Sequence, residues 1–225
     1  MNSYLAIAHR RISEGFSVRL RSFAGGKFAS YCRPRSIALL MTERCNARCI
    51  HCDIWKNRGR EDQPTLQQWK NVLRDLRRWL GPVHVVLTGG EALLNRDTIE
   101  LVAYGSSSGL FIELLSHGYW HDQAKIRKLV EARPSRITIS FDGRGETHSP
   151  IRGREDFARR TEETIQTLRQ IRRESLPDLG IRLKMVIMRQ NLKEVSAVAR
   201  FAGENGLEVF YQPIEQNYNT AEDSR

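Results

Sequence analysis

The sequence predicts an α/β fold built on a parallel sheet, and three observations carry that prediction. Six short apolar runs of strand length are separated by five amphipathic stretches of helix length. Each strand-plus-helix unit takes at least about 25 residues, enough for a crossover that returns to pair in parallel. Glycine, serine and acidic residues gather where the apolar runs end, the edge at which parallel sheets place their ligands. A curled barrel and a flat doubly wound sheet satisfy this pattern equally.

The elements follow in order. Residues 1–35 form a basic N-terminal segment, with Leu5, Ala8, Ile12 and Phe16 at helical spacing before Ala24-Gly25-Gly26. This reads as an amphipathic helix packed outside the core, or as a surface for a membrane or partner. Residues 37–42 form the first strand. Thr65 and Gln68 then make a capping box for a helix whose face carries Leu66, Trp69, Val72, Leu73, Leu76 and Leu80, closed by Gly81-Pro82. Residues 83–88 form the second strand, and Asp97 caps the helix through Ile99, Val102 and Ala103. The third strand, 110–116, ends at His117-Gly118. Asp122 caps a helix with Ile126, Leu129 and Val130, stopped at Pro134. Residues 136–141 form the fourth strand, followed by Asp142-Gly143 and a longer helix over about 155–173. The fifth strand spans 181–188, Asn191 caps the next helix, Asn205-Gly206 stops it, and 207–214 form the sixth strand.

Composition narrows the function. No apolar run approaches the ~18 residues of a membrane span, and residues 4–8 before His9-Arg10-Arg11 are too few for a secretory signal. The net charge of +10 suits an acidic partner. Its arginines are dispersed, without the run of about five like charges that marks a binding tail, which argues against nucleic acid. Three of the four cysteines fall within eight residues. That clustering reads as metal ligation in a reducing compartment, the cytoplasm, and not as a disulfide framework.

Those three are Cys45, Cys49 and Cys52, in Cys45-Asn46-Ala47-Arg48-Cys49-Ile50-His51-Cys52. Thiolates so closely spaced can converge on a soft metal centre. A zinc knuckle would need a fourth ligand from His51, Asp53 or Cys32. A four-iron cluster on three cysteines keeps one iron open for chemistry. Glycine at the second strand's end, Gly89-Gly90-Glu91, lets a backbone approach a ligand, with a carboxylate beside it for an ammonium group. Ser140 and Asp142 share a side at the end of the fourth strand, where they can reach hydroxyl groups.

The Cys-x3-Cys-x2-Cys spacing after a first strand, with His51 before the last cysteine, resembles the radical S-adenosylmethionine (SAM) enzymes. The resemblance covers about residues 36–214 and implies a partial (β/α)6 TIM-like barrel. It also implies a [4Fe-4S] cluster on Cys45, Cys49 and Cys52, with SAM chelating the open iron. Within it His51 packs near the adenine, and Gly89, Gly90 and Glu91 bind the methionyl amine. Ser140 and Asp142 serve the ribose and methionyl part, Arg152 the carboxylate, and Asn191, Gln212 and Pro213 the adenine or substrate side. The implied activity is reductive cleavage of SAM to a 5′-deoxyadenosyl radical that abstracts hydrogen from a peptide or small-molecule substrate. A flavodoxin- or ferredoxin-type protein would donate the electron. The polar tail 215–225 replaces the helix expected after the sixth strand, which points to a fragment of a longer member. A zinc-stabilised binding module and a truncated cluster- or SAM-binding scaffold are the alternative readings.

Overall fold

The computed structural model describes residues 33–57 and 63–214. Most of the predicted N-terminal segment, Cys32 and the tail 215–225 lie outside the described residues. Among the described residues, no helix is long and apolar enough to cross a membrane.

Six strands, β1 (Ser36–Leu40), β2 (His84–Thr88), β3 (Phe111–Ser116), β4 (Arg136–Ser140), β5 (Gly180–Ile187) and β6 (Glu208–Pro213), form one all-parallel sheet. Their spatial order is their chain order. That order decides between the two predicted architectures. A doubly wound sheet reverses direction at a switch point to clothe both faces. Strict succession with crossovers of one hand puts every helix on one side, as in a barrel left open.

The helices are α1 (Leu66–Leu80), α2 (Thr98–Ser107), α3 (Gln123–Glu131), α4 (Gly145–Arg152), α5 (Phe157–Ser175) and α6 (Val195–Glu204). The predicted capping box forms at α1: Gln68 N donates to Thr65 Oγ1 and Thr65 N to Gln68 Oε1. Asp122 caps α3 through Lys125 N. Two expected caps differ. Asp97 makes no cap hydrogen bond, and Asn191 falls inside the 3-10 turn Arg189–Glu194, before α6 begins. The short α4 falls between Gly143 and the helix expected from about 155, a stretch to which the sequence assigns no element, and it contains Pro150.

Alternation along the strands sorts the two faces. Val85, Leu87, Ile112, Leu114, Ile137, Ile139, Leu183 and Met185 are fully buried, packed with Leu73, Leu101, Leu129 and Leu168 of the helices. The opposite, concave face is polar near the strand starts. Ser36 Oγ donates to His84 Nδ1 (3.1 Å), and His84 Nε2 donates to Glu113 Oε2 (2.8 Å). Thr138 Oγ1 donates to Glu113 Oε1 (2.6 Å). Arg136 bridges Glu113 (3.4 Å) and Glu208 (3.3 Å), and Arg182 Nη2 reaches Glu208 Oε2 (2.9 Å). The belt touches every strand. Burial opposes the charge on Glu113, but hydrogen bonds from His84 and Thr138 and the charge of Arg136 prevail, holding its carboxyl at about 2.

Candidate functional site

The cysteine loop leaves β1 at Met41 and is pinned by backbone on both sides. From β2, Gly90 N donates to Thr42 O (2.8 Å) and Glu91 N to Arg44 O (2.9 Å). Beside α4, Arg48 N donates to Arg152 O and Ile50 N to Ile151 O, both at 3.0 Å. Arg154 Nε donates to Asn46 O at 3.0 Å.

Glycine makes these approaches possible. A Cβ on Gly90 would lie 2.7 Å from the Arg44 carbonyl carbon and 2.8 Å from Glu43 O. One on Gly153, left-handed at φ 77°, would lie 2.5 Å from Arg48 O. Gly89, at φ 140°, would drive a Cβ into Thr42 O. The sequence points to glycines that admit a ligand. In the structure they first admit the cysteine loop itself.

The loop's three thiols line one cleft of about 190 Å³ at the carboxyl ends of the strands, together with His51, Gly89, Gly90, Ser140 and Arg152. Eight of the thirteen residues expected at the site thus share one space. Cys49 is buried, and Cys45 and Cys52 are partly so, packed with Ala47, Tyr119 and Phe157. Burial pushes the Cys45 thiol up to about 11 and the Cys49 thiol up as well, so thiolate there calls for a cation such as iron. Burial, joined by the charge of Arg152, pushes His51 down to about 4, which leaves its ring neutral at neutral pH.

Glu91 and Asp142 depart from expectation. The Glu91 carboxylate faces a neighbouring cavity and is saturated by the chain. It accepts from Ser116 Oγ (2.8 Å), His117 N (3.1 Å) and Leu93 N (3.2 Å). An ammonium group in the thiol cleft therefore meets the strand-end backbone of Gly89 and Gly90 before it meets Glu91. Asp142 is fully buried. Its Oδ1 accepts from Val186 N (2.9 Å) and its Oδ2 pairs with Arg152 Nη2 (2.6 Å). Burial opposes its charge, but the guanidinium, joined by the Val186 N–H and the other groups around it, outweighs this and holds the carboxyl below the usual range. Arg152 Nη1 also lies 3.5 Å from Cys49 Sγ. Asn191, expected on the adenine or substrate side, is fully buried and joins Asp142 O to Val186 O, away from the cleft.

Other lining residues escaped the sequence. Lys184 and Val186 reach the cleft from β5, Thr88 from β2, and Trp55 from the loop after the cysteines. The signal for Lys184 was its place between buried Leu183 and Met185, which turns it to the concave face.

The donor set fits the implied cluster and cofactor. Three thiols share a cleft, yet among the described residues no three His, Cys, Asp or Glu side chains are grouped to hold one ion. A zinc knuckle needs donors around one point, whereas a four-iron cluster spreads them over its own width. His51 Nδ1, Trp55 Nε1 and Arg152 Nε, all on lining residues, are buried without a hydrogen-bond partner. Buried polar atoms are rarely left so, and a polar ligand would satisfy them.

A family model described as "Radical SAM superfamily" matches residues 39–202. The chain is 28% identical to the AdoMet-dependent heme synthase of Methanosarcina barkeri, over 79% of this chain and 50% of that protein. It is 29% identical to the sporulation killing factor maturation protein SkfB of Bacillus subtilis, over 82% and 43% respectively. The chain therefore spans half or less of the length of these relatives. Among solved structures, Streptococcus suis SuiB bound to precursor peptide SuiA superposes with a TM-score of 0.71 at 14% identity, over 85% of this chain and 42% of SuiB. At that identity the likeness shows the fold.

Proposed function

We propose, from the premise that this chain belongs to the radical SAM superfamily, that its thiol cleft is the cofactor site of a radical SAM enzyme. Members of the family bind a [4Fe-4S] cluster and SAM. Cys45, Cys49 and Cys52 would hold the cluster. Its reduced form, when bound, supplies one electron to the sulfonium of SAM, giving methionine and a 5′-deoxyadenosyl radical that abstracts hydrogen from substrate. One observation carries the reading: three thiols, a glycine-edged strand end and unpartnered buried nitrogens of His51 and Trp55 line the same cleft.

The chain's own residues do the positioning. The loop is fixed by backbone bonds from β2 and α4, so the thiols are placed before any metal arrives. The backbone at Gly89 and Gly90 offers carbonyls to the methionyl amine, and Ser140 offers a hydroxyl to the ribose. The neutral ring of His51 and the indole of Trp55 flank the adenine. Arg152 and Lys184 give the cleft a cationic side, with no carboxylate among its described lining residues, and this draws the cofactor's carboxylate. Burial of Cys49, and the partial burial of Cys45 and Cys52, limits water at the reacting atoms.

The substrate we favour is a peptide. A relative described as PqqA peptide cyclase, 26% identical, and the SuiA-bound SuiB among the structures support that choice. The electron comes from an acidic flavodoxin- or ferredoxin-type donor, which the net charge of +10 favours. A cytoplasmic location follows from the need for reduced thiols.

Electron paramagnetic resonance (EPR) on the anaerobically reconstituted, reduced chain tests the reading. A reduced-cubane signal that shifts on adding SAM, with 5′-deoxyadenosine formed, supports it. Bound zinc with no cluster signal rejects it in favour of a binding module. A signal indifferent to SAM, without deoxyadenosine, identifies a scaffold. Donor reduction rates independent of ionic strength would remove the acidic partner.

A further inference from the structure

We infer that Arg152 is a positioning residue for the cluster ligand Cys49, held by Asp142, and that this buried chain of groups sets how readily the cluster accepts its electron. The inference rests on the radical SAM reading above and goes beyond it: Arg152 serves the metal centre before it serves the cofactor's carboxylate.

Three buried groups joined in series support it. Asp142, Arg152 and Cys49 are 0%, 5% and 8% exposed, so the whole chain lies out of water. Arg152 divides its fork, with Nη2 at 2.6 Å from Asp142 Oδ2 and Nη1 at 3.5 Å from Cys49 Sγ. Asp142 is itself immobilised. Beyond Val186 N on Oδ1, its N–H donates to His148 Nδ1 (3.0 Å) and its carbonyl accepts from Asn191 Nδ2 (2.9 Å). The Arg152 backbone completes the hold, because its carbonyl accepts from Arg48 N in the cysteine loop. Side chain and main chain of one residue thus grip the loop at two points.

The chemistry follows from charge. One electron entering the cluster adds one negative charge, shared by its sulfur ligands. A cationic N–H donor on a ligand sulfur favours the reduced form and raises the potential. The dry surroundings enlarge the effect. Asp142 opposes it by partly neutralising the guanidinium. A planar fork can serve sulfur and carboxylate together, and an ammonium group cannot do so with the same geometry.

The two single variants therefore shift the potential in opposite directions, which a merely structural role would not produce. The test is an EPR-monitored redox titration of the reconstituted full chain, with dithionite as electron source. SAM is left out, so its carboxylate cannot contribute. Arg152→Gln is expected to make one-electron reduction at least tenfold less favourable, about 59 mV lower for one electron. Asp142→Asn is expected to raise the midpoint, and Arg152→Lys to fall between wild type and Arg152→Gln. If Arg152→Gln fails to fold, the rise in Asp142→Asn still decides. Midpoints unchanged across the variants, or both single variants moving the same way, overturn the inference. So does weaker SAM binding at an unmoved midpoint, which would return Arg152 to the cofactor's carboxylate. A chain that takes up no cluster overturns both readings, while a cluster with unmoved midpoints overturns this one alone.

Discussion

Replacing Glu113 by Gln removes the charge at the centre of the concave belt while keeping the side chain's shape. The carboxyl sits at about 2 against an ordinary 4.5. At roughly 1.4 kcal/mol per tenfold change in proton affinity, that preference is worth roughly 3 kcal/mol at neutral pH. The sign is fixed by the depression. The folded state favours the carboxylate, so the contribution is complete above about 4.5 and is lost as pH falls from there through about 2. Glutamine also turns an NH2 group toward the donors of His84 and Arg136 or toward Thr138, leaving the Arg136 charge short of its partner. Breaking a buried ion pair from one side costs about 3–5 kcal/mol. Urea unfolding of both chains from pH 7 down to 3 measures the difference. We expect a gap of about 3–5 kcal/mol at pH 7 that narrows steadily below pH 4.5. A gap under about 1 kcal/mol at pH 7, or one constant over that range, would refute the reasoning.

Three further outcomes are expected. Gly90→Ala places a methyl group against the Arg44 and Glu43 backbone, so the cysteine loop shifts, stability falls by about 1–3 kcal/mol, and iron per chain after reconstitution drops while circular dichroism stays unchanged. Asn191→Ala leaves Met188 N, Asp142 O and Val186 O without their partner, costing about 2–3 kcal/mol in urea unfolding. His148 is pushed down to about 3 by burial and the charge of Arg152, so the folded state disfavours its protonation. Stability present above about 6.5 therefore falls as pH drops toward 3. His148→Phe should flatten the slope of urea midpoint against pH between 6.5 and 4.5, a window above that of Glu113.

Much of the fold could be read from local chemistry because local chemistry decides it. The Thr65–Gln68 box and the Asp122 cap are contacts within three residues, and both form as the sequence implies. Asn191 shows where that reading stops. An asparagine before a helical stretch looks like a cap, but its amide is claimed by Asp142 O, 49 residues away. Helix α4 was missed because Pro150 and its threonine, histidine and serine are poor helix formers. It forms because tertiary packing buries His148, Ser149 and Ile151. At the site, residue types and order located the cleft, yet they could not say that Glu91 and Asp142 turn inward to serve Ser116 and Arg152. The belt from His84 to Glu208 escaped for a related reason. Polar residues at every second strand position read as facing solvent, and only curvature brings five strands' worth of charge together.

The chain-order succession of the strands also bears on how the molecule assembles. Every pairing joins units adjacent in the sequence, so each closure spans a single crossover, and folding can start at any neighbouring pair and spread both ways. Among the described residues the two edge strands have one neighbour each, which makes them the first to fray. One of them, β1, leads directly into the cysteine loop. That loop bonds across to the far end of α4, deep in the chain's second half. A metal centre seated there would act as a clasp, binding the loosest margin of the sheet to its middle and adding its own affinity to the stability of the whole.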